Sequence, residues 1–186
     1  MYNRYMENIL KIHSAQSFKI HQLTRTLAEK YLDDIVSALD LIPEVDPHTR
    51  EDVLSENSRG RILHSKWDHS LIVLTTDGAF AGLLIGYERE SEENEQYPSH
   101  SIYISGLAVS KKFQGKGLGK FILQTWINQC KEERFIELDG KLRLSVQTNK
   151  ESWNRHVQKL YESFGFKKIA EKQYGNRIDN VYSLDL

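Results

Sequence analysis

The sequence predicts an α/β (α+β) domain in which a mixed, mostly antiparallel central sheet of six to seven strands is flanked by helices. Three observations predict it. Stretches that alternate in polarity and stretches with helical apolar spacing follow one another in the order β-α-α-β-β-β-α-β-α-β-β. The 186 residues suffice for one substantial core. An apolar strand ending at Val109 passes through glycines 115, 117 and 119 into a helix, and the return crossover requires a parallel neighbour.

Each element has its own signal. Residues 1–16 lack a clear period and suit an extra strand or a short helix, an N-terminal extension of a single domain 1–186. Phe18, Ile20 and Gln22 alternate as a strand does. From Thr24, residues Leu27, Tyr31, Leu32, Ile35, Val36 and Leu39 recur at helical spacing, and Pro43 and Pro47 break the chain. A second helix is expected over Arg50–Ser65, with Val53 and Leu54 as a thin apolar face. Leu71–Thr75 and Phe80–Glu88 are strands joined at Asp77-Gly78. Ser91–Pro98 is acidic and polar, a solvated connector before the central strand His100–Val109. Gly117–Arg134 is a helix with Phe121, Ile122, Leu123, Ile127 and Cys130 inward. Leu142, Leu144 and Val146 share one face of a strand over Lys141–Gln147. A helix over Glu151–Phe164 and a hairpin of Phe166–Gln173 with Ile178–Leu184 about Gly175-Asn176 complete the order.

Composition excludes several classes. The 25 Lys+Arg against 26 Asp+Glu give no bulk field for a nucleic acid. Cys130 is the only cysteine, so no internal disulfide forms, and it reads as a small core residue. The first ten residues lack the apolar run of a signal peptide, and no segment approaches ~18 consecutive apolar residues. A soluble cytoplasmic protein that meets no membrane is expected. The histidines show no metal spacing (His64 and His69 span an expected break), so no metal is expected.

The segment Ser105–Lys120, SGLAVSKKFQGKGLGK, carries the chemistry. Glycines let backbone N–H groups approach an anion without a Cβ in the way. The helix that follows adds its unpaired N–H groups and the positive end of its dipole, and Lys111, Lys112, Lys116 and Lys120 add charge. This is a phosphate-holding device. The spacing is G-x-G-x-G, not the G-x-G-x-x-G of dinucleotide sites. Phe121 after Lys120 excludes a P-loop, which requires Ser or Thr there.

Gln114-Gly115-Lys116-Gly117-Leu118-Gly119 fits [Q/R]-x-x-G-x-[G/A] between a strand and a helix, and so resembles the acetyl-CoA-binding motif of the GNAT superfamily of N-acetyltransferases. Asn154 with Leu160-Tyr161-Glu162-Ser163-Phe164-Gly165-Phe166 resembles that family's N-x-x-A-x-x-L-Y-[E]-x-x-G-F segment. The resemblance covers about Leu83–Phe166 and implies the GNAT acyl-CoA N-acyltransferase fold. It departs at Val157, where the family has alanine. It departs again in the link from Val146 to Asn154, longer by about a turn, which an extra helical turn in Gln147–Trp153 would absorb.

The resemblance implies acetyl-CoA as co-substrate and an amine, small-molecule or peptide, as acceptor. It places the pyrophosphate on Gln114, Gly115, Lys116, Gly117, Leu118, Gly119 and Lys120. It places the pantetheine arm on the backbone of Leu107, Ala108 and Val109, with Asn154 beside it. The N–H near Leu107 would polarise the acetyl carbonyl, and Gly106 marks a bulge that opens the strand. Tyr161 is the expected proton donor to the leaving thiolate. For the amine's proton, Glu88 is preferred over Glu90, His100 and Tyr103, with water alone left open as the base, while His156 reads as a surface residue. Trp67, Trp153, Tyr174 and Tyr182 are candidates for an acceptor pocket. Two copies pairing would suit the family, although no residue named here supports it. The competing readings are a non-catalytic acyl-CoA-binding or sensor module, and a kinase-like or dehydrogenase-like nucleotide enzyme that the glycine spacing disfavours.

Overall fold

The computed structural model describes residues 9–11, 17–42, 49–55, 66–89, 101–133 and 142–186. Its strands are β1 (Ile9–Lys11), β2 (Ser17–Gln22), β3 (Leu71–Thr75), β4 (Phe80–Arg89), β5 (Ser101–Val109), β6 (Arg143–Asn149), β7 (Lys167–Tyr174) and β8 (Arg177–Asp185). They form one sheet in the order β1-β2-β3-β4-β5-β6-β8-β7. Every pairing is antiparallel except β5 with β6. This is the mixed sheet the sequence predicts, seven strands plus the short edge strand β1.

Helices α1 (Arg25–Lys30), α2 (Leu32–Leu39) and α3 (Arg50–Leu54) belong to one face; α4 (Leu118–Glu133) and α5 (Arg155–Ser163) belong to the other. The core divides accordingly. Ile35, Leu39, Ile72 and Leu83 fill the α1–α3 side. Trp126, Ile122, Leu84, Ile104 and Tyr182 fill the α4–α5 side.

The helix expected from Thr24 is two helices. Thr24 caps the first, its side chain accepting from the Leu27 N–H at 3.3 Å. The chain then breaks at Tyr31, whose hydroxyl donates to the Gly78 carbonyl in the β3–β4 turn at 2.9 Å. Apolar spacing runs through this kink unchanged, so periodicity alone could not reveal it. The helix expected over Arg50–Ser65 ends at Leu54. Thr49 and Asp52 form a capping box at its start, and Ser55 is already extended. Residues 56–65 lie outside the described residues, as do the connector at 91–98, Glu90 and His100.

Lys66 holds the short helix in place. It is buried in a 3₁₀ turn, and its Nζ donates to the Val53 carbonyl at 2.8 Å and the Asp52 carbonyl at 3.0 Å. These are carbonyls that a helix C-terminus leaves without partners. Burial pulls the Lys66 ammonium down to about 8, against the Asp52 carboxylate, which raises it.

Gly86 lets α4 close on the sheet. A Cβ there would stand 2.6 Å from the His69 carbonyl oxygen and 2.9 Å from the Trp126 ring. Trp126 is the largest fully buried side chain among the described residues, and its indole N–H donates to that same carbonyl at 2.6 Å. Among the described residues, no helix is long and apolar enough to cross a membrane.

Candidate active site

The site begins where the sheet forks. β5 and β6 pair only through Ile102, Tyr103 and Ile104, opposite Leu144, Ser145 and Val146. On its other edge β5 carries a bulge: Ile85 faces Gly106 while Gly86 faces Ile104, leaving Ser105 unmatched. The extra residue shifts the alternation. Ile102 and Ile104 belong to the α4 side before it, and Leu107 and Val109 pack on that side after it. Ser105 is exposed although its strand is central to the sheet, because its neighbours have parted. A Cβ on Gly106 would lie 3.0 Å from Leu39 Cδ2, so the end of α2 abuts the bulge.

Backbone direction follows from one hydrogen bond. The Ser110 N–H donates to the Ala81 carbonyl on β4 at 2.9 Å. Strand alternation then turns Ala108 towards β4, and turns Leu107 and Val109 into the fork. Leu107 and Val109 can therefore bond an added peptide-like arm. Ala108, expected beside them, bonds its own sheet. The Val109 carbonyl accepts from Gln114 Nε2 at 3.0 Å, so Gln114 braces the glycine loop against the strand.

The loop opens towards solvent. Phe113 is buried edge-on to Phe18 with ring centroids 5.4 Å apart, which fixes the turn. Gly115 (φ 72°) and Gly117 (φ 80°) adopt the left-handed conformation that favours glycine, and a Cβ added at either would have nothing within 4 Å. The first bond of α4 runs from the Phe121 N–H to the Gly117 carbonyl at 3.1 Å. The N–H groups of Leu118, Gly119 and Lys120 therefore have no partner within the helix. The Leu118 side chain is buried as an anchor, so only its N–H is offered. Gly119 faces the fork, its would-be Cβ 3.7 Å from Val109 Cγ2. Lys111, Lys112, Lys116 and Lys120 are all exposed around this concavity. Open N–H groups, positive φ and four ammonium groups fit a pyrophosphate.

Gln158 and Tyr161 on α5, with Asn154 just before it, are buried. Tyr161 is 4% exposed, and its ring meets Phe166 edge-on at 5.5 Å. Burial raises its phenol well above the ordinary value. Asn154, expected beside the pantetheine arm, is hydrogen-bonded within the protein. Its Nδ2 donates both hydrogens inside the protein, to Thr148 Oγ1 at 2.5 Å and the Asn149 carbonyl at 2.8 Å. Gln158 Nε2 donates to that same carbonyl at 3.0 Å. The long link after Val146 consists of a longer β6, through Asn149, and a 3₁₀ turn at Ser152–Asn154. Asn154 closes that link, and with it the placing of α5.

The sequence pattern of the Acetyltransferase (GNAT) family matches residues 32–166, well over half of the chain. The chain belongs to this family. As a GNAT member it is an N-acetyltransferase that takes its acetyl group from acetyl-CoA. The solved structures agree in fold. The ribosomal-protein-S18-alanine N-acetyltransferase from Escherichia coli superposes with TM-score 0.63 at 17% identity, over 90% of this chain and 93% of that one. The NatC complex bound to Gag peptide and CoA gives 0.67 at 17% identity, over 91% and 98%. A GNAT-family acetyltransferase from Listeria monocytogenes gives 0.62 at 17% identity, over 96% and 100%. No curated relative matches the chain by sequence.

The remaining candidates separate by face. In this GNAT chain Glu88 is turned towards α4, with Oε1 3.3 Å from His69 Nε2. It stands opposite Ile102, three residues before Ser105, so its carboxylate lies behind the fork and not within it. Tyr103 lies on the other face, 5.4 Å from the Tyr87 ring and beneath the Arg89 guanidinium at 5.1 Å. Tyr182 is buried on the α5 side, its hydroxyl on Glu162 at 3.2 Å; Trp153 is exposed, and Trp67 lies under Lys66. Among the four aromatic acceptor candidates, only Tyr174 reaches the fork, where its hydroxyl donates to Gln147 Oε1 at 2.8 Å. No sequence signal marks Gln147 as functional or Trp126 as an anchor. No group of metal-ligating side chains occurs among the described residues.

Proposed function

We propose that the protein transfers an acetyl group from acetyl-CoA to a primary amine by direct attack of the amine on the thioester. The observation that carries this reading is the fork: a strand edge at Leu107 and Val109 with no neighbouring strand leads directly into a loop of open N–H groups at Gly115–Lys120. Acetyl-CoA supplies an acetyl group activated as a thioester. The N–H groups of Leu118, Gly119 and Lys120, with the glycine loop and its lysines, bind the pyrophosphate. Leu107 and Val109 hold the pantetheine arm as an added strand. The Leu107 N–H faces the acetyl oxygen, where negative charge grows during attack.

The new C–N bond forms as the C–S bond breaks. The nitrogen loses a proton and the sulfur gains one. Tyr161 donates a hydrogen bond to that sulfur, and its raised pKa keeps the proton on the phenol across the working range. A free thiol has a pKa of about 8.5, so full transfer from so weak an acid requires the same burial to raise the thiolate as well. Tyr161 therefore acts first as a hydrogen-bond donor. The amine's proton leaves through water, and Glu88, held by His69 behind the fork, is its sink rather than its direct partner.

The test is thiol release from acetyl-CoA in the presence of an amine panel. Amine-dependent release supports the reading. Saturable acetyl-CoA binding with no release for any amine replaces it with a non-catalytic acyl-CoA-binding module.

A further inference from the structure

Ser105 stands in the fork at a place the sheet makes for it. Ile104 faces α4, so the next residue turns to the opposite face. The bulge keeps Gly106 on that opposite face as well, where its Cβ position meets Leu39 of α2. Alternation resumes at Leu107, which packs on the α4 side. Ser105 is exposed in a strand that lies between two others. Ser101, earlier on the same strand and face, is buried and bonded to Ser145 through their Oγ atoms. Other polar side chains near the fork are directed elsewhere. Glu88 is on the α4 face against His69, Tyr103 packs on Tyr87 beneath Arg89, and the Tyr174 hydroxyl is given to Gln147. Ser105 therefore presents an accessible hydroxyl beside the strand edge that leads to Leu107.

We propose that Ser105 Oγ is a catalytic group of the acetyl transfer: it accepts a hydrogen bond from the attacking nitrogen and relays that nitrogen's proton to water. This rests on the acetyl-transfer reading above. Ser105 precedes Leu107 by two residues, at most about 7 Å along the strand. With the acetyl oxygen on the Leu107 N–H, about 2.9 Å away, the acetyl carbon falls within reach of an amine that also touches Oγ. The faces agree. Tyr161 holds the sulfur from the α5 side, so the amine enters from the face that Ser105 occupies. As the C–N bond forms, the nitrogen becomes positively charged and its N–H becomes acidic. That proton passes to Oγ while the Oγ–H proton passes to a water, so Ser105 is neutral before and after. The C–S electron pair leaves on sulfur, which takes a proton from solvent beside the Tyr161 hydroxyl. A hydroxyl both accepts and donates, as such a relay requires.

The experiment measures thiol release from saturating acetyl-CoA in the parent, Ser105→Ala and Ser105→Thr. A plain alkylamine, a linear diamine and a dipeptide serve as probes, and the variants are compared on whichever the parent turns over fastest. Ser105→Ala should lower kcat about tenfold, the size of one hydrogen bond made at the reacting atoms, with KM for the amine changed less than about twofold. Ser105→Thr keeps the hydroxyl and should hold kcat within about threefold of the parent. Acetyl-CoA affinity by calorimetry and stability by urea unfolding should be those of the parent in both variants, because the side chain is exposed. A Ser105→Ala protein with the parent's kcat, a Ser105→Thr protein that loses as much as Ser105→Ala, or a loss of rate matched by an equal loss of acetyl-CoA affinity overturns the inference while acetyl transfer stands. A parent that binds acetyl-CoA but acetylates no probe removes both.

Discussion

Ile104 and Val146 are the last pair that β5 and β6 share; one residue later Ser105 is exposed and Gln147 is exchanging bonds with the β7–β8 hairpin. The separation is built into the sequence. The bulge at Ser105 bends β5, and Gly106 leaves room for Leu39. The open strand edge follows from where those two strands part.

Gly117 and Gly119 separate folding from binding. Gly117→Ala forces a side chain into positive φ and should destabilise the protein by about 1 kcal/mol. Gly119 lies in the helix, with room for a Cβ beside Val109, so Gly119→Ala should be neutral or stabilising by up to about 1 kcal/mol. Both should weaken acetyl-CoA binding several-fold, measured by calorimetry alongside urea unfolding. If Gly119→Ala binds like the parent, the phosphates do not lie against that helix turn.

Tyr161→Phe should keep acetyl-CoA affinity and lose about 10–100-fold in kcat. Because the folded phenol titrates well above its ordinary value, the parent should show no loss of rate from its ionisation up to about pH 10. Stability should fall above that pH, where the unfolded phenol releases its proton and the folded one does not. A parent and a Phe variant with identical kcat would remove Tyr161 from the reaction.

Asn154→Ala tests positioning against ligation. Losing the bonds to Thr148 and Asn149 should lower stability by about 1–2 kcal/mol and lower kcat as α5 shifts. Acetyl-CoA affinity should change less than about twofold, because the free protein already uses both amide hydrogens. A large loss of affinity with unchanged stability would return Asn154 to the cofactor.

Lys66 gives a pH signature. Its folded pKa, about 8, is below the ordinary lysine value of 10.5, so between these values the unfolded chain binds more protons. Stability relative to Lys66→Met should therefore rise as pH increases from about 8 to 10, by at most roughly 3 kcal/mol. Urea unfolding of both proteins across that range checks the sign. A flat difference would show that the lysine is not held away from water.

The fold was legible where periodicity and turn chemistry agree. β3, the β4 start, the end of β5 and both strands of the final hairpin lie within a residue or two of their expected bounds. The glycine loop was legible because glycine is the residue that positive φ selects. The break at Tyr31 was not, since the apolar spacing continues across it. Glu88 was singled out as a carboxylate on a flanking strand and Asn154 by its motif, but their partners, His69 and Thr148–Asn149, come from tertiary contacts that no local pattern encodes.

The central claim is that the backbone from Val109 to Phe121 grips the phosphates of a thioester coenzyme. Calorimetric titration of the parent and of Gly117→Val with acetyl-CoA tests it most directly, with circular dichroism confirming that both are folded. Saturable one-to-one binding by the parent and a loss of at least about tenfold in the variant are expected. No saturable binding by the parent, or equal binding by a folded Gly117→Val, would contradict it.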